Sequence, residues 1–163
     1  MWKLRDFNPQ NLSNTMWAFA SLGHHPGRLA DAIAAAAESK LHGFTSQGLS
    51  NLLWAFAALN HNPGRPIMES ISTEAERQLY HFNSQELSNT AFALAKLHMS
   101  QAAPPSSSER LLMQAIAAET ERKVQKFKPR DLTDLVWAFA TEANAGETAA
   151  MLSDHTLRWR RRR

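Results

Sequence analysis

One block of 14 residues occurs four times in this chain, and no other feature constrains its fold as much. It reads F-N-P-Q-N-L-S-N-T-M-W-A-F-A from Phe7 to Ala20 and F-T-S-Q-G-L-S-N-L-L-W-A-F-A from Phe44 to Ala57. It returns as F-N-S-Q-E-L-S-N-T-A-F-A-L-A from Phe82 to Ala95 and as F-K-P-R-D-L-T-D-L-V-W-A-F-A from Phe127 to Ala140. The anchoring phenylalanines lie 37, 38 and 45 residues apart, and Trp17, Trp54, Phe92 and Trp137 keep the same intervals. A period in this range marks an array of supersecondary units, each too small to bury its own apolar face.

Each unit reads as two helices. Leu12, Met16 and Phe19 fall at i, i+4 and i+7, which puts them on one helix face. Asn8 suits an N-cap with Pro9 at the first helical position, and Asn83 with Glu86 forms a capping-box pattern. Gly23-His24-His25-Pro26-Gly27 and Asn60-His61-Asn62-Pro63-Gly64 break the chain at matching places. Second helices follow at about Arg28–Leu41, Pro66–Tyr80 and Glu109–Val124, where Ile33, Ile71 and Ile116 each lie 11 residues before the next anchoring Phe. The expected fold class is all-α, an α-solenoid of paired-helix repeats covering residues 7–43, 44–81, 82–126 and 127–157, with a basic tail at 158–163. Residues 101–108, rich in Pro and Ser, read as a loop inserted in the third repeat. The fourth repeat loses its pattern after Ala143, and Met151, Leu152 and Leu157 make a poor second helix. Leu4 takes the slot of Leu41 and Leu79, so the chain is expected to be a piece of a longer array.

On a helical wheel the first helix of each repeat has three faces. Leu12, Met16, Phe19 and position 15 (Thr15, Leu52, Thr90, Leu135) point to the partner helix, while Ala18 and Ala20 lie on opposite flanks and are Ala in every copy. What remains is a ridge: Gln10, Asn14, Trp17 and Ser21, then Gln47, Asn51, Trp54 and Ala58. The later copies supply Gln85, Asn89, Phe92 and Lys96, then Arg130, Asp134, Trp137 and Thr141. If first helices line the inner wall, this ridge is the concave surface. An amide, an aromatic and a variable polar residue in a regular row suit single-stranded nucleic acid, since aromatic faces stack bases and amides bond base edges or phosphates. Two other roles stay open: the Trp residues as core, and the Asn residues as a hydrogen-bond ladder between repeats. Residues that read sequence should vary between copies, which singles out Ser21, Ala58, Lys96 and Thr141 and also Asn11, Gly48, Glu86 and Asp131. The invariant amides Asn14, Asn51 and Asn89, with Asp134, read as scaffold or backbone contacts.

The net charge of +3 is a property of the terminus, because Arg158 and Arg160 to Arg163 are cationic while residues 1–157 carry 13 Lys and Arg against 15 Asp and Glu. A basic terminal run is a common nucleic-acid-binding arm. The near-neutral body instead suits the rival reading, a scaffold that binds proteins on its concave face, because RNA affinity draws on phosphate neutralisation. No Gly-rich phosphate loop, H-E-x-x-H motif or nucleophile elbow occurs, so no catalysis, cofactor or small-molecule substrate is expected. His24, His25, His61, His81 and His98 recur near turns and read as surface residues without metal-ligand spacing. No cysteine is present and no apolar run is long enough for a membrane span. No signal peptide is expected, since Met1-Trp2-Lys3-Leu4-Arg5 leads directly into the first repeat.

At F-x-P-Q-x-L-S-N-T-x-W-A-F-A-x-L-G-H-H-P, and across Leu4 to about Thr141, the chain resembles the octotricopeptide repeat family. It looks most like the algal chloroplast translation-factor type and, more distantly, the FASTK-like mitochondrial proteins. The resemblance implies a paired-helix solenoid that binds single-stranded organellar transcripts, in chloroplast or mitochondrion, and controls their stability, processing or translation. It also implies that the polar positions of the inner helices touch RNA. The chain departs from the pattern at Phe92, at the Pro-Ser insertion, and at Arg130 and Asp134.

Overall fold

Each repeat opens with the same punctuation. A 3-10 turn (Leu4–Asp6, Leu41–Gly43, Leu79–His81, Val124–Lys126) runs into an extended Phe at position 7, 44, 82 or 127, and a helix starts two residues later. The computed structural model describes residues 3–100 and 104–160, with side chains described as far as Asn144. Among these residues the chain is all-helical, with seven α-helices and no strand. They are α1 (Pro9–Ser21), α2 (Arg28–Glu38), α3 (Ser46–Ala58), α4 (Arg65–Arg77), α5 (Ser84–Met99), α6 (Ser107–Lys123) and α7 (Pro129–Arg160).

The caps are those the residue types dictate. The Asn8 side chain accepts from the Asn11 N–H while Asn11 reciprocates to the Asn8 N–H, and Asn83 with Glu86 does the same. Thr45 accepts from the Gly48 N–H. Before α2 and α4 the chain turns through Gly27 (φ +60°) and Gly64 (φ +97°), a left-handed backbone that side chains other than Gly rarely adopt. Ser106 and Glu109 cap α6 reciprocally, so that helix begins at Ser107, inside the stretch expected to be loop. Gln101 to Ala103 lie outside the described residues.

Two layers result. First helices pack in a row, α1 on α3, α3 on α5 and α5 on α7, and second helices form a parallel row, α2 on α4 and α4 on α6. The core lies between the rows, where Leu12, Met16, Leu49, Leu53, Phe56, Ile33, Ile71 and Ile116 are all fully buried. Burying one such side chain stabilises by about 1.5–3 kcal/mol.

The paired alanines show how neighbours face one another. Ala18 is exposed, whereas its equivalents Ala55, Ala93 and Ala138 are buried, so this flank receives the preceding first helix. Ala57 and Ala95 are buried, Ala20 is half-buried and Ala140 is exposed, so the opposite flank receives the following one. Small residues on both flanks let the backbones approach closely.

The fourth repeat differs from the expected helix pair. Helix α7 continues without a turn through Asn144-Ala145-Gly146 to Arg160, so no separate second helix folds back. The expected apolar positions Met151, Leu152 and Leu157 and the arginines of the tail lie outside the residues whose side chains are described. Val136 is 68% exposed in consequence, while the equivalent Met16, Leu53 and Ala91 are completely buried.

Candidate functional site

The ridge read from the helical wheel lies on the surface. Gln10, Gln47, Gln85 and Arg130 are exposed, and none of the amide, aromatic or variable positions behind them is buried. Asn14 is exposed, with Asn51, Asn89 and Asp134 half-buried. Among the described residues none of these four side chains makes a hydrogen bond that would explain its recurrence as a ladder.

The ladder exists, but serine builds it. Ser50 Oγ donates to the Glu86 carbonyl at 3.2 Å and Ser88 Oγ to the Asp131 carbonyl at 2.6 Å, each joining one first helix to the next. Ser13 is equally buried and donates to Gln10 O within its own helix. Burial explains the preference: the L-S-N serine faces a neighbour's backbone, where a hydroxyl is small enough to fit and must find an acceptor.

The aromatic row also reaches solvent. Trp17 is 48% exposed and Trp137 38%, with Trp54 and Phe92 half-buried. Phe92 and Trp137 touch across adjacent repeats with ring centroids 4.9 Å apart, and Lys96 Nζ sits 6.0 Å from the Phe92 centroid. Ser21 and Ala58 are exposed, and Lys96 and Thr141 half-buried, beside their respective aromatics. Between the N-terminal ends of α1 and α3 lies a groove of about 510 Å³. Gln10, Asn14, Gln47 and Asn51 line it without a charged group.

The other variable set occupies a different place. Asn11 and Glu86 are the reciprocal residues of capping boxes, Gly48 is buried, and Asp131 is nearly buried with Oδ2 accepting from the Lys128 N–H at 3.3 Å. These positions face the preceding helix, so their variation follows the choice of cap and the space left by the neighbour. Adding a Cβ at Gly48 would bring it within 3.2 Å of the Phe44 ring.

Two features were missed or misread in the sequence. The residue four before Phe44, Phe82 and Phe127 clamps the preceding repeat: Lys40 Nζ donates to Arg5 O and Phe7 O at 2.8 and 2.5 Å. Lys123 Nζ does so to Tyr80 O and Phe82 O at 2.9 and 2.7 Å, and Gln78 Nε2 to Phe44 O at 3.0 Å. The signal was present, since Lys3, Lys40, Gln78 and Lys123 share one place in the repeat.

The second feature corrects the reading of His98 as a surface residue. Its side chain is 7% exposed and bridges three helices, with Nδ1 2.6 Å from Glu142 on α7 and Nε2 3.3 Å from Glu109 on α6. Burial disfavours the imidazolium, but the two carboxylates outweigh it and raise the pKa to about 9. Glu109 is held down at about 2, burial opposing its ionisation and His98 and Ser106 favouring it. The contact could not be read locally, because α5, α6 and α7 meet only after folding.

Among the described residues no three His, Asp or Glu side chains could hold a metal, and no helix is long and apolar enough to cross a membrane. No protein-family model and no curated protein matches the chain.

Proposed function

We propose that the chain is an α-solenoid that binds single-stranded RNA along its first helices, without catalysis. The observation that carries this reading is the surface row of Asn14, Asn51 and Asn89 beside Trp17, Trp54, Phe92 and Trp137, with amides that bond to nothing among the described residues. The amides serve as neither core nor cap among the described residues, yet recur in the first three copies. Their chemistry fits unpaired bases: an aromatic face stacks for about 1–3 kcal/mol per base, and a free amide can donate and accept. Lys96 and Arg130 add cationic groups at the later repeats.

Discrimination between bases falls to Ser21, Ala58, Lys96 and Thr141, which stand by the aromatics and differ from copy to copy. Asn11, Glu86 and Asp131 serve as caps and take no part in contact with RNA. The resemblance to octotricopeptide proteins supports a role in chloroplast or mitochondrial RNA stability, processing or translation. Fluorescence anisotropy against a mixed-sequence single-stranded RNA, over a range of salt, tests the reading. Replacing Asn14 and Trp17 by Ala should weaken binding at least about tenfold, the loss of one stacked base. The melting temperature should change little, since both side chains are exposed. Equal affinity of wild type and variant, or no binding at low salt, would overturn it and favour a protein partner on the same face.

A further inference from the structure

Each anchoring Phe sits in extended backbone and turns toward the core, where Phe44 and Phe82 are buried and Phe7 and Phe127 pack against it. Side chains alternate along an extended segment, so the residues on either side of that Phe turn outward. Both are exposed in every copy, and so is the residue three after the Phe. In the first three copies these places stay open with a further repeat packed alongside, so their exposure does not come from an uncovered edge. They hold Asp6, Asn8 and Gln10 in the first copy, Gly43, Thr45 and Gln47 in the second, and His81, Asn83 and Gln85 in the third. In the fourth they hold Lys126, Lys128 and Arg130.

None of these three cationic side chains has a hydrogen-bond or ion-pair partner among the described residues. The carboxylates close by in sequence do not neutralise them. Glu119 is held by Arg122 and Lys123, Asp131 is buried against the Lys128 N–H, and Glu121 and Asp134 pair with none of the three. An aromatic stands across the same joint. Tyr80 is 70% exposed, with Lys123 Nζ 5.7 Å from its ring and donating to its carbonyl. His81 meets that ring edge-on, and Ser84 Oγ donates to Lys126 O at 3.0 Å, so residues 80–84 run beside 123–126.

We infer that this edge holds the phosphodiester backbone of the RNA strand, with Lys126, Lys128 and Arg130 pairing with phosphates and Tyr80 stacking an unpaired base. The inference rests on the RNA reading above and adds a second surface to it. Three unpaired cations favour a polyanion, and an exposed aromatic among them favours one that carries unpaired bases. Arg130 belongs to the ridge as well as to this edge, so one strand can lay bases on the first and phosphates on the second. Charge-driven affinity is then concentrated at the joint of the third and fourth repeats, since the first two copies carry no cation at these places.

Anisotropy of the full chain against the mixed-sequence single-stranded RNA, over a range of salt, tests this. Lys126→Gln, Lys128→Gln and Arg130→Gln together should make the slope of log K on log salt shallower by about 2, at about 0.7 per phosphate of a single strand. A fourfold rise in salt should then weaken the wild type about 16-fold more than the variant. Arg28→Gln, Arg65→Gln and Arg110→Gln remove the same charge from the starts of α2, α4 and α6, and should keep the wild-type slope. Tyr80→Ala should weaken binding about fivefold or more with the slope unchanged. All of these side chains are exposed, so each variant should keep the helical spectrum and melting temperature of the wild type. A wild-type slope in the first triple variant, or an equal change in the second, would overturn the inference and leave the RNA reading standing. A wild type that binds no RNA would overturn both.

Discussion

Replacing His98 by Leu should remove a cation from between two carboxylates while leaving volume for packing. Glu109 is 6% exposed and cannot hydrate, so it keeps only its Ser106 cap; Glu142 is 22% exposed and can turn toward water. Stripping one member from a buried ion pair costs about 3–5 kcal/mol, and the escape available to Glu142 puts this case at about 3 kcal/mol. A pKa raised to about 9 from an ordinary 6.5 by the same two carboxylates is of the same order, about 3 kcal/mol. At about 2.1 cal/mol/K of unfolding entropy per residue, that is a fall in melting temperature of about 9 °C for a chain of 163 residues. The pH dependence separates charge from packing. The folded pKa lies above the unfolded one, so the His98 contribution is complete below pH 6.5 and lost as pH rises through about 9. Urea unfolding followed by circular dichroism should show wild type and His98→Leu about 3 kcal/mol apart near pH 6 and nearly equal near pH 10. A gap that does not change with pH, or is absent at pH 6, would refute the ion-pair argument.

Other substitutions probe the array. Leu53→Ala should cost about 2–5 kcal/mol, whereas Val136→Ala, at the equivalent position, should change stability by no more than about 0.5 kcal/mol. The contrast follows from complete burial against 68% exposure, and equal losses in thermal melts would mean that α7 carries a covering helix after all. Lys123→Met should cost about 2 kcal/mol, because two carbonyls lose a charged donor and Glu119 loses a partner 2.7 Å away. Lys128→Met removes a neighbouring charge with no hydrogen-bond role for its side chain among the described residues, and should leave the melt unchanged.

Much of the layout was legible because the chain states it repeatedly. Caps at Asn8 and Asn83, the breaks before Gly27 and Gly64, and the burial of Ile33, Ile71 and Ile116 depend on residues within a turn or two of each other. Local chemistry is enough for those. The ridge followed from the wheel alone, and its exposure matches. At Asn11, Gly48, Glu86 and Asp131 variation between copies did not say what the position faces: Asn11 and Glu86 also close capping boxes, and Gly48 and Asp131 are buried. A residue can differ to suit its cap as readily as to suit a ligand.

Repetition and helical period, carried by single residues and their spacing, determined that this chain makes helices, where the first helix of each repeat begins, and which face of each is apolar. Packing decided the rest. Only the meeting of three helices made His98 a buried cation, since its partners lie 11 and 44 residues away in sequence. Only the stacking of first helices passed the inter-repeat hydrogen bond to serine and left asparagine and tryptophan facing solvent. Tertiary contacts also made Ala18 and Ala140 exposed while identical residues in the middle of the row are sealed. Sequence assigns the same side chain to each copy, but its burial depends on whether a neighbouring helix stands beside it.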